Sequence, residues 1–323
     1  MTFRRVAFAS ALVGALVVAL ALANAPVLWA WANLTGGHEV FVPAPPQIRP
    51  TPPGPMEGQV VKGHWRVQRI DADTYAIGEP QDDPDNYEYL LIGARRALLI
   101  DAGAAGRDIH EALAGLTDRP ITVIPTHLHF DHTNGLKFFD HIALVDLPQT
   151  RARLRDGVFR PGRLEYMAPL SQPTPAFRVA EWIRPDSDID LGGRTVRLLW
   201  TPGHTASSVS IYDPASKRLF TGDMIATTTI FAFMPDSSLS AYLQTADRLL
   251  ATLPADTRIY GAHCCRNDRP ATAPWLEMGD LRDLRTAVAA VRDGHAQGRG
   301  FLLKRYPVNA RMTLATLYPF GNH

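Results

Sequence analysis

The sequence predicts an α/β fold whose working residues sit on loops at the carboxyl ends of strands. Two observations predict it. Short apolar runs of strand length alternate with segments of helical period, and four of those runs end in a loop that carries His or Asp. Sites built this way are general in α/β architectures. With 323 residues, 46% of them hydrophobic, the chain has material for one large domain or two ordinary ones with a sizeable core.

The chain opens on Arg4 and Arg5, followed by an uncharged stretch from Val6 to Ala32 rich in Ala, Val and Leu. A basic start before an apolar run is the pattern of a secretory signal peptide or a signal anchor. Val6 to Ala25 alone makes about 30 Å of transmembrane helix, enough to cross a bilayer. Ala23-Asn24-Ala25 has the small-residue form of a cleavage site, but Pro26 follows it, and Ala30-Trp31-Ala32 offers a second. The expectation is an uncleaved membrane anchor over residues 1–32. The arginines are then cytoplasmic and the remaining chain is exported, facing the periplasm or the extracellular side; cleavage would make it secreted. Residues 33–57 form a linker: the seven prolines from Pro43 to Pro55 can neither pair in a sheet nor continue a helix. Residues 58–323 are left as the folded domain.

Within that domain Trp65–Ile70 and Thr74–Gly78 read as strands. Tyr87–Ile92 and Ala97–Ile100 flank the turn Gly93-Ala94-Arg95-Arg96 and lead to Asp101-Ala102-Gly103. A short amphipathic helix follows, with Ile109, Leu113 and Leu116 on one face and His110 off it, in solvent. Ile121–Pro125 is a strand that runs into Thr126-His127-Leu128-His129-Phe130-Asp131-His132. Residues 151–177 are rich in Arg, Pro and Gly and follow neither period. They form either a lid, with Phe159, Tyr166 and Phe177 as contacts, or a surface excursion.

Arg194–Trp200 is a strand entering Thr201-Pro202-Gly203-His204-Thr205. Val209–Tyr212 and Arg218–Phe220 make a hairpin about Asp213-Pro214-Ala215-Ser216, and the second strand enters Thr221-Gly222-Asp223. Ile225–Pro235 is apolar, with Ile230, Phe231, Phe233 and Met234; it either walls the site or is buried elsewhere. Ser238 caps a helix reaching Leu253, and Thr257–Tyr260 is a strand entering Gly261-Ala262-His263. A last amphipathic helix is expected from about Trp275 to Val291.

Three histidines and a carboxylate within His127–His132 are the side chains that zinc and similar divalent metals prefer. Taken singly His204, Asp223 and His263 are weak signals. Gathered at neighbouring strand ends with that heptapeptide, they become a metal-site pattern. The net charge of +1, without a tract of clustered Lys or Arg, argues against a nucleic-acid partner. The two cysteines, Cys264 and Cys265, are adjacent, so no disulfide framework spans the fold, and Cys264 is expected to be a buried inert thiol.

From Gly58 to Leu303 the landmarks Leu99-Ile100-Asp101-Ala102-Gly103, the heptapeptide, Thr201–Thr205, Thr221-Gly222-Asp223 and Gly261-Ala262-His263 resemble the metallo-β-lactamase superfamily. That resemblance implies a four-layer αβ/βα sandwich and two divalent metal ions, zinc first and iron or manganese otherwise. By position His127, His129 and His204 would hold the first ion and Asp131, His132 and His263 the second, with Asp223 bridging. It implies a hydrolase acting through a metal-bound hydroxide, with Asp131 and Asp223 as catalytic residues and Asp101 and Thr126 supporting the ligands.

Asp223 stands where the better-known lactamases have cysteine or serine. His129 stands where diiron redox members have an acid. The ligand set therefore looks most like glyoxalase II-type thioesterases and lactonases, although no basic cluster near the end of the chain suits a glutathione carboxylate. The expected substrate is a small molecule with an ester, lactone, thioester or amide bond. The alternatives are a phosphodiesterase on the same centre and a non-catalytic metal-binding domain tethered to the membrane.

Overall fold

The computed structural model describes residues 59–62, 65–79, 85–104, 106–168, 172–264, 273–300 and 303–317. The expected anchor and linker lie outside the described residues, among which no helix is long and apolar enough to cross a membrane.

The first sheet places β1 (Gln59–Lys62), β2 (Trp65–Asp71), β3 (Thr74–Glu79), β4 (Asp85–Ile92), β5 (Ala97–Ile100) and β6 (Ile121–Ile124) side by side in chain order. Its neighbours are antiparallel except β5 and β6, which are parallel. Parallel pairing needs a crossover, and the one-turn helix α1 (His110–Leu113) lies on it. After β6 come the helical turn α2 (Phe130–Thr133) and β7 (Ala143–Val145), then α3 (Pro148–Arg151), the hairpin β8 (Leu154–Arg155) with β9 (Val158–Phe159), and α4 (Arg163–Tyr166). β10 (Glu181–Ile183) returns to pair with β7 in parallel.

The second sheet runs in the order β11 (Ser187–Asp190), β12 (Thr195–Trp200), β13 (Val209–Asp213), β14 (Arg218–Gly222), β16 (Arg258–Gly261) and β18 (Trp275–Glu277). Its one parallel pair, β14 with β16, is joined through α5 (Leu239–Thr252). Helix α5 starts as its sequence dictates, with the Ser238 side chain accepting a hydrogen bond from the Ala241 backbone N–H. The last helix, α6 (Met278–Arg292), begins three residues later than its periodicity suggests. Trp275–Glu277 instead closes the sheet against Arg258–Tyr260, because a free strand edge offers more hydrogen bonds than another helical turn. Two features carried no sequence signal. β15 (Thr229–Phe231), β20 (Thr313–Leu317) and β19 (Leu303–Pro307) make a small third sheet, and β17 (His263–Cys264) is only two residues long.

The period of two along each strand divides the core into layers. Leu98 and Ile100 point into a cluster shared with Val196, Leu198, Ile211, Phe220 and Tyr260 of the second sheet, which is the sheet-on-sheet interface. Ala97 and Leu99 point the other way and pack with Ile109, Ala112 and Leu113. Leu219 and Ile259, out of phase with Phe220 and Tyr260, pack on Leu243 and Ala246 of α5 and on Leu281 and Leu284 of α6. Helix, sheet, sheet and helix therefore form the four-layer sandwich. Phe159 and Phe177 are buried in the cluster outside the first sheet, so they anchor the 151–177 segment and are not the substrate contacts the lid reading expected. Ile230, Phe233 and Met234 are likewise buried, which leaves Phe231 the partly exposed member of the apolar stretch.

Candidate metal centre

β17 explains how the site is assembled. It follows β16 of the second sheet yet pairs with β4 of the first, His263 opposite Asn86, and so ties the two sheets together at the point where the heptapeptide leaves β6. The Tyr89 hydroxyl donates to the Gly261 carbonyl at 2.6 Å and fixes the turn just before His263. On the other side the Val209 N–H donates to the Thr126 carbonyl at 2.8 Å, which locks the start of the heptapeptide to β13.

Seven side chains converge in two groups able to hold a metal ion. His127, His129, His204 and Asp223 form one; Asp131, His132, His263 and Asp223 form the other. All seven come from the sequence pattern, and Asp223 belongs to both groups. Its Oδ2 lies 3.6 Å from His204 Nε2 and 4.0 Å from His127 Nε2. Its Oδ1 lies 3.2 Å from His263 Nε2 and 3.3 Å from His132 Nε2. Ligands about 2.0–2.2 Å from a tetrahedral ion stand roughly 3.3 Å from each other, so these separations suit a cation between them.

The outer hydrogen bonds decide which ring nitrogens face inward. His204 Nδ1 meets the Phe231 carbonyl at 2.7 Å, an acceptor only, so that nitrogen carries the proton and Nε2 presents a lone pair. The Thr126 hydroxyl donates to Asp101 Oδ2 at 3.0 Å and thus accepts from His127 Nδ1 at 3.2 Å, which again leaves Nε2 bare. His132 Nδ1 donates to Asp101 Oδ2 at 2.9 Å, and its inward Nε2 and Asp223 Oδ1 have no hydrogen-bond partner. In the first group His127 Nε2 and His204 Nε2 both approach His129 Nδ1, at 2.9 and 3.2 Å. Lone pairs converging in a buried space repel unless a cation or protons lie among them. The donor set therefore fits divalent metal.

Charge divides the two groups. Burial and the neighbouring His204 hold His129 down to about 3, and burial with His132 and His129 holds His127 well below the usual histidine range. Burial opposes charge at His263 as well, but the carboxylates of Asp223 and Asp131 outweigh it and push it up to about 10. His132 is likewise raised, against burial, by Asp101, Asp223 and Asp131. Burial would raise Asp131 and Asp223; His132 and His263 overcome it, holding Asp131 at about 2 and Asp223 well below the carboxylate range.

Two backbone details hold this arrangement. Gly222 has φ +54°, and a Cβ there would sit 2.2 Å from Thr126 Oγ1, so only glycine lets Asp223 approach the heptapeptide so closely. Asp101 adopts φ 65°, strained for a residue with a side chain, and in that conformation its carboxylate reaches both Thr126 and His132.

The metallo-beta-lactamase superfamily model matches residues 88–263. The chain belongs to that superfamily. Among curated relatives, the acyl-coenzyme A thioesterase MBLAC2 of Gallus gallus is 31% identical over 183 residues, which is 50% of this chain and 65% of that protein. The Homo sapiens counterpart is 28% identical over 184 residues, 50% of this chain and 66% of its own length. The chain thus spans just under two thirds of the length of these relatives. A hydroxyacylglutathione hydrolase of Methylobacillus flagellatus is 30% identical over 240 residues, 72% of this chain and 81% of that protein. Among solved structures, the metallo-beta-lactamase from Pontibacter korlensis shares the fold at 19% identity with a TM-score of 0.51, over 70% of this chain and 99% of its own. The DIM-1 metallo-beta-lactamase shares it at 13% identity with a TM-score of 0.53, over 72% and 100%.

Several supports of this superfamily site were not legible in the sequence. Asn86 Nδ2 donates to the Asp131 carbonyl at 2.7 Å, and the Ser237 hydroxyl donates to the His204 carbonyl at 2.6 Å. Asn86 lies at the start of a strand, where its polarity was the one available hint. The Phe231 carbonyl that orients His204 had no signal, since every residue has a carbonyl. Cys264 is buried as expected, but it is disulfide-bonded and not a free thiol. His110, expected in solvent, is exposed and held by Asp108 at 2.7 Å.

Proposed function

We propose that this chain is a dinuclear metal-dependent hydrolase that cleaves thioesters. The observation that carries the reading is Asp223, whose two carboxylate oxygens each face one histidine-bearing group. His127, His129 and His204 would hold one divalent ion, Asp131, His132 and His263 the other, and Asp223 both; the imidazole and carboxylate donors favour zinc, with iron or manganese able to substitute. Bound there, the ions supply Lewis acidity and water acidified to near neutrality.

The protein groups have their own parts. Asp223 would offset the charge of two neighbouring cations. Asp131 stays ionised, so its carboxylate can orient the attacking water or carry a proton towards the leaving group. Asp101 keeps His132 turned so that Nε2 faces inward. Among the bonds such a centre can attack, the thioester is favoured by the similarity to an acyl-coenzyme A thioesterase and to hydroxyacylglutathione hydrolases.

The test is a substrate panel on metal-loaded full-length protein: acyl-coenzyme A, acylglutathione, a lactone and bis-p-nitrophenyl phosphate. Thioester turnover that disappears with chelator supports the reading. Turnover of the phosphodiester alone, or full activity without metal, sinks it. We also propose that residues 1–32 export the chain and anchor it to the membrane through the 33–57 linker, a reading supported by Arg4, Arg5 and the apolar run after them. Carbonate-washed membranes should retain the protein; release of a shortened soluble form would show cleavage instead.

A further inference from the structure

Residues 151–178 carry a charge the rest of the chain does not. Six arginines stand there against Asp156 and Glu165, a local net of +4 in a chain whose total is +1. The segment is also fixed beside the metal centre. Gln172 Nε2 donates to the side-chain oxygen of Asn134, the residue that ends the helical turn bearing Asp131 and His132, at 3.1 Å, and to the Tyr166 hydroxyl at 2.8 Å. On the opposite flank, Glu165 is close enough to Asp236 to feel its charge, and Asp236 accepts from the Ala206 N–H, two residues past His204. Phe159 and Phe177, buried and paired through both backbone hydrogen bonds, bring Arg178 back beside the β8–β9 hairpin.

Two of the six arginines are committed to structure. Arg151 makes a two-pronged pair with Asp146 at 2.6 and 2.8 Å and stacks on Trp182. Arg163 holds the carbonyls of Ala168 and Gln172. The other four are exposed. Arg153 shares one carboxylate oxygen, Glu165 Oε2, at 3.3 Å, and Arg155 reaches only the carbonyls of Ala152 and Leu154. Arg160 and Arg178 have no carboxylate partner among the described residues. Four exposed guanidinium groups with spare donors, set on one segment held down by buried aromatics, are suited to phosphate. The planar fork of each matches two phosphate oxygens at once, and little ordering is needed on binding.

We propose that Arg153, Arg155, Arg160 and Arg178 form a phosphate-gripping patch for coenzyme A, holding the nucleotide end of an acyl-coenzyme A while its thioester lies at the metal centre. This rests on the thioester reading above. An acyl-coenzyme A carries its diphosphate and 3′-phosphate at the far end of a pantetheine arm. Its cationic contacts must therefore stand away from the metals, on an element held beside them, as the segment that carries these arginines is through Gln172 and Glu165. Exposed arginines facing an anionic lipid headgroup would use the same phosphate chemistry, and the experiment separates the two sources.

Coenzyme A is titrated calorimetrically into the full-length protein and into R153Q/R155Q/R160Q/R178Q, with pantetheine and phosphatidylglycerol vesicles as parallel probes. Wild type should bind coenzyme A with an affinity that falls as salt rises, and the variant should bind it at least tenfold more weakly, with pantetheine binding equal in both. If the fourfold variant melts early, R160Q/R178Q, which removes two side chains with no carboxylate partner, replaces it and should still lose several-fold. Unchanged coenzyme A affinity, an equal loss for pantetheine, or arginine-dependent binding to the vesicles alone overturns the proposal. Arginine-dependent binding of coenzyme A without turnover of any thioester would uphold the patch and refute the thioesterase reading, so the two stand or fall separately.

Discussion

The two halves of the candidate site each take two side chains from one heptapeptide, yet their charge is arranged in opposite ways. The group of His127, His129 and His204 is buried, and burial together with the neighbouring imidazoles suppresses the charge of His127 and His129. The group of Asp131, His132 and His263 surrounds its histidines with carboxylates, and without metal those histidines hold protons well above neutral pH. The first group is ready for a cation; the second already contains its own countercharge. Filling the first therefore needs no deprotonation at His127 or His129, whereas filling the second displaces protons.

The largest test of this contrast is Asp223→Asn, because that side chain is common to both groups. It removes a charge facing two cations at once, and Lewis-acid stabilisation is worth several kcal/mol. Thioester turnover should fall by about a thousandfold, with metal content dropping below two ions per chain. Steady-state kinetics with elemental analysis checks it. A D223N protein with near-normal turnover would show that catalysis does not depend on one side chain common to both groups.

Next in size is Asp101→Ala, which acts on one side more than the other. Asp101 accepts from His132 Nδ1, from the Thr126 N–H and from the Thr126 hydroxyl. Losing such an outer partner typically weakens metal affinity about 10–100-fold. The second group takes the direct loss, through His132. The first feels it only through Thr126 and His127, so competitive metal titration should show one weakened ion and one nearly unchanged. Equal weakening of both would erase the distinction drawn above.

Protons give the third test. His263, ordinarily near 6.5, is pushed up to about 10 in the metal-free fold. A histidine raised in this way stabilises the metal-free fold fully below about 6.5, and that contribution is lost as pH climbs through about 10. Chelation should therefore leave a protein whose melting temperature is higher at pH 6 than at pH 10. Conversely, metal binding at pH 7 must expel the protons on this group, so the second ion should bind more weakly as pH falls. Calorimetry in buffers of different ionisation enthalpy should register proton release for that ion and little for the first.

What could be read from sequence follows the same division between chemistry and support. His127 to His132, His204, Asp223 and His263 were legible because imidazole and carboxylate are rare at strand ends unless they bind something. Leu98 and Leu99 showed their opposite faces through the period of two. Trp275–Glu277 misled, because three residues cannot show whether they continue a helical period or begin a strand, and pairing with β16 decided it. Phe159 and Phe177 looked like lid contacts because exposed and buried aromatics are the same letters. Only the packing of the first sheet's outer face distinguishes them.

The smallest expected effect comes from Ser237→Ala, and it bears on the neutral group alone. The Ser237 hydroxyl donates to the His204 carbonyl and accepts from the Met234 N–H at 3.0 Å, so it joins the apolar loop to the histidine's own backbone. Its loss should cost about 1 kcal/mol of stability, the usual net value of one hydrogen bond. Metal affinity should change much less than in Asp101→Ala, because the His204 ring keeps its contact with the Phe231 carbonyl and so keeps its tautomer. A thermal melt beside the same metal titration separates the two effects. If Ser237→Ala released the first ion as readily as Asp101→Ala weakens the second, the backbone would matter as much as ring orientation, and the neutral group would be no more preorganised than the charged one.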